Sequence, residues 1–179
     1  MDVLNRMVEE IQGVVKEVDT VQLVKTASVF DLSKRVFVDG EGRSGLMMKA
    51  LAIRLMHLGY TVFVVGETIN PAIREGDIFL VASGSGKSKA LLAHVEKAKD
   101  KKAYILSVTS NKDTSLSKVS DINLIIPGST KFDIGENRKS IQLLSSLFDQ
   151  TLHIVIDALC LMLSERDNVK NDDAKKAHW

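Results

Sequence analysis

Val81-Ala-Ser-Gly-Ser-Gly-Lys-Ser-Lys-Ala-Leu-Leu92 is the stretch on which the reading of the fold turns. The apolar run Asp77-Ile-Phe-Leu-Val-Ala82 leads into it and reads as a buried strand. Residues 88–98 come next and read as a helix. Between the two stand the hydroxyls of Ser83, Ser85 and Ser88 and the glycines Gly84 and Gly86. Glycine lets the backbone turn sharply and approach a ligand closely. Serine hydroxyls donate further hydrogen bonds, and a helix start offers unpaired N–H groups and a positive dipole end. Strand, Ser/Gly loop and helix start together predict an anion site, with a phosphate as the best-suited occupant.

Outward from this loop the same alternation repeats. Lys34-Arg-Val-Phe-Val-Asp39 is the first predicted strand, followed by the turn Gly40-Glu-Gly-Arg-Ser-Gly45 and a helix over 46–58. Strands are predicted at 61–65, 77–82, 103–109 and 122–126, the last stopped by Pro127-Gly128. A polar turn with a short helix fills 110–118, and a long helix is expected from Gly135 to about Glu165. At the other end Leu4, Met7, Val8, Ile11, Val14, Val15 and Val18 recur at helical spacing, with a break near residues 19–22 before a second helical piece. Five short apolar strands alternating with helices predict an α/β fold: a three-layer sandwich with a five-stranded parallel sheet covered on both faces. Such sheets bind ligands beyond the carboxyl ends of their strands, where every glycine- and serine-rich loop named here falls.

The chain of 179 residues suits one domain, 1–179, with an N-terminal helical segment over 1–30 and a polar tail over 166–179. A net charge of +1 creates no field that favours nucleic acid or a membrane. The single cysteine, Cys160, lies in an apolar helical run and reads as packing, which leaves no internal disulfide and no cysteine-rich metal site. No apolar stretch is judged to reach membrane-spanning length, and residues 1–10 are charged and amphipathic rather than a signal peptide. The expectation is a cytoplasmic protein.

Three motifs admit more than one reading. Gly40 to Gly45 matches the dinucleotide pattern G-x-G-x-x-G, and Glu67 sits where a ribose-binding acid belongs; Arg43 and Ser44 are unusual in such a turn. Gly86-Lys-Ser88 has the ending of a Walker A loop, but that pattern needs a glycine at position 81, where this chain has Val81. Asp149, His153 and Asp157 share a helix face, either as a solvated polar stripe or as a general base with polar support. His57, near a helix end, is structural on the plain reading. No cluster has metal-ligand spacing.

The two loops in their order, Gly40 to Gly45 and Ser83 to Ser88, resemble the signature loops of the sugar isomerase (SIS) domain family. Arg54-Leu-Met-His-Leu-Gly-Tyr60, Val64-Val-Gly-Glu-Thr68, Pro71-Ala-Ile73, Ser107-Val-Thr-Ser-Asn111 and Leu147-Phe-Asp-Gln150 are similar to its 6-phospho-3-hexuloisomerase branch, over about residues 1–165. The resemblance implies interconversion of D-arabino-hex-3-ulose 6-phosphate and fructose 6-phosphate through a cis-enediol, downstream of formaldehyde condensation with ribulose 5-phosphate or in the reverse direction. It implies no metal, no organic cofactor, and a homotetramer with sites near subunit interfaces. It also implies that Ser83, Ser85 and Ser88, with the N–H groups of Gly84, Gly86 and Lys87, hold the phosphate of a phosphorylated ketohexose. Ser44 would touch the sugar or the phosphate and Arg43 the sugar hydroxyls, Asp149 would be the base, and His57 would assist ring opening or proton movement. Two departures stand out: Asp149 occupies a position where the family carries a glutamate, and only His178 matches the family's C-terminal pattern. A non-catalytic sugar-phosphate sensor and an isomerase for another phosphosugar are the alternatives.

Overall fold

The computed structural model describes residues 2–135 and 139–178. Its strands are β1 (Arg35–Gly40), β2 (Thr61–Val64), β3 (Ile78–Ala82), β4 (Tyr104–Thr109) and β5 (Ile122–Ile125). All pair in parallel in the order β2-β1-β3-β4-β5. The helices are α1 (Val3–Glu17), α2 (Thr20–Val29), α3 (Gly42–His57), α4 (Lys89–Asp100), α5 (Ser115–Val119), α6 (Ser146–Arg166) and α7 (Asn171–Lys176).

Central β3 is buried along its whole length, which is why its sequence is continuously apolar rather than alternating. Ile78, Leu80 and Ala82 face a core built with α1, α2, α3 and α6, whereas Phe79 and Val81 face a second core under α4 and α5. Polar side chains start the helices. Asp2 accepts from Leu4 N at 2.6 Å, and Asp19, at the predicted break, accepts from Val21 N at 2.8 Å. The chain leaves β1 toward α3 on one face of the sheet and leaves the adjacent β3 toward α4 on the other. Two neighbouring strands whose connections diverge open a crevice between them, the place where open α/β sheets bind ligands.

Two expectations need correction. The long helix begins at Ser146 rather than near Gly135; residues 136–138 of the predicted span lie outside the described residues. Gly135 (φ 56°) and Leu144 (φ 52°) adopt left-handed backbone that no right-handed helix contains. Thr130 N donates to Asp133 Oδ2 at 2.6 Å, a local turn that competes with helix. The second correction concerns hydropathy. α6 has 21 residues, and an 18-residue stretch of it has a mean hydropathy of 1.4, enough by length and composition to cross a membrane; 56% of that stretch is buried inside this fold, as the core helix against the sheet.

Opposite the crevice, at the amino ends of the strands, Arg35 clamps β1 to β3. Its Nε donates to Asp77 Oδ1 at 2.9 Å, Arg74 N donates to the other carboxylate oxygen at 2.8 Å, and Asp77 is only 3% exposed. Arg35 itself keeps 16% of its side chain exposed, so removing Asp77 costs the hydrogen bonds its charge accepts, about 1.5–3 kcal/mol. Asp77→Ala is therefore expected to lower unfolding stability by about that amount in urea denaturation. A loss of about 1 kcal/mol or less, typical of a surface pair, would show the clamp to be inert.

Candidate functional site

A cavity of about 380 Å³ opens at the carboxyl edge of the sheet, within the range of small-molecule sites. The Ser83–Ser88 loop forms its floor. Ser83 N donates to Val108 O at 3.0 Å and ties the loop to β4. Ser83 Oγ accepts from Gly86 N at 3.2 Å, Ser85 Oγ from Lys87 N at 3.4 Å, and Ser88 Oγ, the cap of α4, from Leu91 N at 3.2 Å. Each serine oxygen thus accepts from the backbone, which leaves its hydroxyl hydrogen to be donated to an anion. A Cβ at Gly84 would stand 3.1 Å from the Phe148 ring, so only glycine lets the loop settle on α6. Gly86 is turned to the rear. It holds φ +59°, a Cβ on it would run into Thr114, and its N–H is donated inside the loop. Of the expected binding residues in this loop, Ser83, Gly84, Ser85, Lys87 and Ser88 line the cavity and Gly86 does not.

The opposite wall is the turn from β1 into α3. A Cβ at Gly45 would strike the Gly40 carbonyl, so these glycines serve close packing of strand and helix. That approach points Ser44 inward. Its Oγ donates to Asp149 Oδ1 at 2.6 Å, and both side chains are buried. Arg43 Nε lies 3.9 Å from Asp149 Oδ2, while its Nη1 donates to Ser146 Oγ at 3.2 Å. Burial pushes the Asp149 carboxyl above its usual range, opposed by the Ser44 hydrogen bond and the Arg43 charge. A carboxylate with raised proton affinity, facing a cavity edged by hydroxyls and cations, is equipped to take a proton from carbon and steady the charge left behind.

Sequence reasoning missed one wall. Lys131, Phe132, Leu144 and Ser145, from the segment between β5 and α6, also line the cavity. The ammonium groups of Lys131 and Lys87 lie 5.3 and 5.6 Å from the centre of the Phe132 ring. The segment comes after the carboxyl end of β5, so the rule that singled out the other loops applied here as well.

Other candidates lie elsewhere. His57 closes α3, thirteen residues from Ser44 and therefore about 20 Å along the helix axis. It is buried and stacks on His178, with ring centres 5.2 Å apart, and burial first, then the neighbouring His178 and Arg54, lower its pKa. His153 pairs with Asp157 at 3.7 Å on a half-exposed part of α6, so the proposed polar stripe divides and Asp149 alone enters the cavity. Glu67, the acid the dinucleotide reading needs, is exposed and pairs with Lys49 at 3.0 Å outside the cavity.

The chain is similar to known proteins along most of its length. It is 39% identical over 170 residues to the 3-hexulose-6-phosphate isomerase of Mycobacterium gastri, covering 95% of this chain and 85% of that one. It is also 39% identical over 140 residues to the enzyme of the same name from Bacillus subtilis, covering 78% and 76%. A crystal structure of a protein described as hypothetical superposes with a TM-score of 0.88 at 33% identity, covering 98% of this chain and 96% of the other. The SIS domain matches residues 31–154, from the end of α2 through both loops and Asp149 into α6. The chain belongs to the SIS domain family, and its homologues include proteins named 3-hexulose-6-phosphate isomerase.

Proposed function

We propose that the protein is an isomerase that interconverts D-arabino-hex-3-ulose 6-phosphate and D-fructose 6-phosphate. What supports the reading most is one juxtaposition: the buried Asp149 carboxylate lines the same cavity as the hydroxyl-rich loop after β3. The names of the homologues point to the same chemistry.

In this mechanism the phosphate sits on the hydroxyls of Ser83, Ser85 and Ser88 at the start of α4, with Lys87 and Lys131 supplying positive charge. Binding energy from that remote group orients the reacting carbons. Asp149 takes the proton from C2 of the 3-ketose, and the electrons move into the C3 carbonyl to give a cis-enediolate. The proton of the C2 hydroxyl passes to the C3 oxygen, and Asp149 returns its proton to C3 as the C2 oxygen becomes the carbonyl, so nothing is gained or lost overall. Arg43 and Ser44 stabilise the oxygen that carries the developing charge. His57 does not reach this cavity within one chain. A role for it belongs to a homotetramer in which a second copy covers the exposed apolar residues of α3 and α6, among them Ile53, Met56, Ile154 and Leu161.

Incubation with fructose 6-phosphate in heavy water tests the assignment. Deuterium entering at C3, with formation of the 3-ketose, is expected. Binding without exchange would make the protein a sensor, and exchange only on another phosphosugar would make it a different isomerase. Asp149→Asn is expected to lower kcat by about 10²–10⁴, the usual contribution of a positioned base, while titration with fructose 6-phosphate still shows near-normal affinity. The pH profile gives a further test. The working form of Asp149 is the carboxylate, and its pKa is raised from 3.8, so kcat/KM falls as pH drops through that higher value. Ser44→Ala deletes an interaction that lowers the pKa and is expected to move this acid limb to still higher pH. A limb at or below 3.8, or one unmoved by Ser44→Ala, would remove Asp149 from the role.

A further inference from the structure

Beyond the cavity, one carboxylate is committed to a loop far away in sequence. Glu10 stands on α1, and its side chain accepts three hydrogen bonds from residues 140–142. Ser140 Oγ donates at 2.7 Å, Ile141 N at 2.7 Å and Gln142 Nε2 at 3.1 Å. The network continues inward. Gln142, only 5% exposed, accepts through Oε1 from Gln150 Nε2 at 2.5 Å, and Gln150 is the neighbour of Asp149 on α6. Two residues further along the chain comes Leu144, which holds the left-handed conformation, lines the cavity and is 69% exposed. A non-glycine residue keeps that conformation only where its surroundings impose it.

The two serines after Leu144 reach both walls of the site. Ser145 Oγ accepts from Lys131 N at 3.1 Å, and Ser145 O accepts from Asp149 N at 2.9 Å. Ser146 Oγ accepts from Arg43 at 3.2 Å. The stretch 140–146 therefore runs from α1 to the base, to Lys131 and to Arg43, and Glu10 holds its outer end. Burial opposes ionisation of Glu10, but the three donors and Arg6 outweigh it and keep the carboxyl below its ordinary range. The group accepts as a carboxylate at any neutral pH.

We propose that Glu10 is a positioning residue: by gripping residues 140–142 it fixes the Leu144–Ser145 turn, and through that turn the placement of Asp149 and the wall beside it. The proposal rests on the isomerase reading for its effect on rate; the grip itself does not. Neutral Gln at position 10 has one acceptor oxygen where the carboxylate has two, and it adds an N–H₂ facing the donors.

Glu10→Gln, Glu10→Asp and the wild type are compared by trypsin cleavage after Lys139, by kcat and KM, and by thermal unfolding. Hydrogen bonds to a charged group are strong enough that losing them should speed cleavage after Lys139 roughly tenfold or more. A similar fall in kcat is expected, with a smaller rise in KM, because the Ser83–Ser88 loop is untouched and only Lys131 among the phosphate's neighbours is loosened. Glu10→Asp keeps the charge and is expected to recover part of both effects. Should Glu10→Gln not fold, Gln142→Leu breaks the inner link of the same network and is read by the same two measurements. Wild-type cleavage and wild-type kcat in a folded variant overturn the proposal. So does a kcat loss that merely tracks a fall in melting temperature without faster cleavage. If the wild type isomerises no phosphosugar, the functional reading fails, and the cleavage ratio then decides the grip by itself.

Discussion

The hydrogen bond from Ser44 to Asp149 joins residues 105 positions apart and decides what the crevice can do. Without it, a carboxyl group only 3% exposed would have lost water and gained one distant guanidinium. Burial alone would then favour the neutral acid, which cannot act as a base. With it, the carboxylate keeps a short-range donor while its proton affinity stays above that of a solvated aspartate. The bond is possible only because Gly40 and Gly45 let α3 start close against β1, so that the second residue before Gly45 becomes Arg43 at the rim and the next becomes Ser44 inside. Packing of two glycines is thus converted into the state of a buried carboxylate.

A similar economy governs the loop after β3. Its serine oxygens accept backbone N–H groups and thereby shape the turn, and the same hydroxyls keep their hydrogens for a ligand. Phe148 supports the arrangement from below. Its ring leaves no room for a side chain at Gly84, and the backbone of the same residue leaves none at Gly128. α6 is consequently two things at once: the most deeply buried helix of the fold and the carrier of Asp149 in its first turn. Its hydropathy, high enough to suggest a membrane by composition, reflects the first of these roles.

Much of this was legible in the sequence, for identifiable reasons. Parallel strands buried on both faces write themselves as short apolar runs, and β3 and β4 were read within a residue or so of their bounds. The Ser/Gly loops stood out because few other settings need that composition. Less visible was everything that depends on how the chain returns across the carboxyl edge. Lys131, Phe132, Leu144 and Ser145 lie in a segment with neither apolar period nor repeated glycine, and its geometry comes from hydrogen bonds to distant partners such as Glu10. The start of α6 was misplaced because the polar, charged stretch before Ser146 carries no strong stop, and Leu144 breaks the helix through a backbone angle that side-chain type does not announce. His57 illustrates the opposite limit: a residue named through resemblance lies far from the cavity along its own helix, stacked on His178.

The central claim is that one cavity holds the phosphate on the loop after β3 and presents the sugar carbons to Asp149. A crystal structure with fructose 6-phosphate measures this directly. Phosphate oxygens are expected on the hydroxyls of Ser83, Ser85 and Ser88, with C2 and C3 in contact with the Asp149 carboxylate. A phosphate bound elsewhere, or a sugar whose C2 and C3 face away from Asp149, would contradict it.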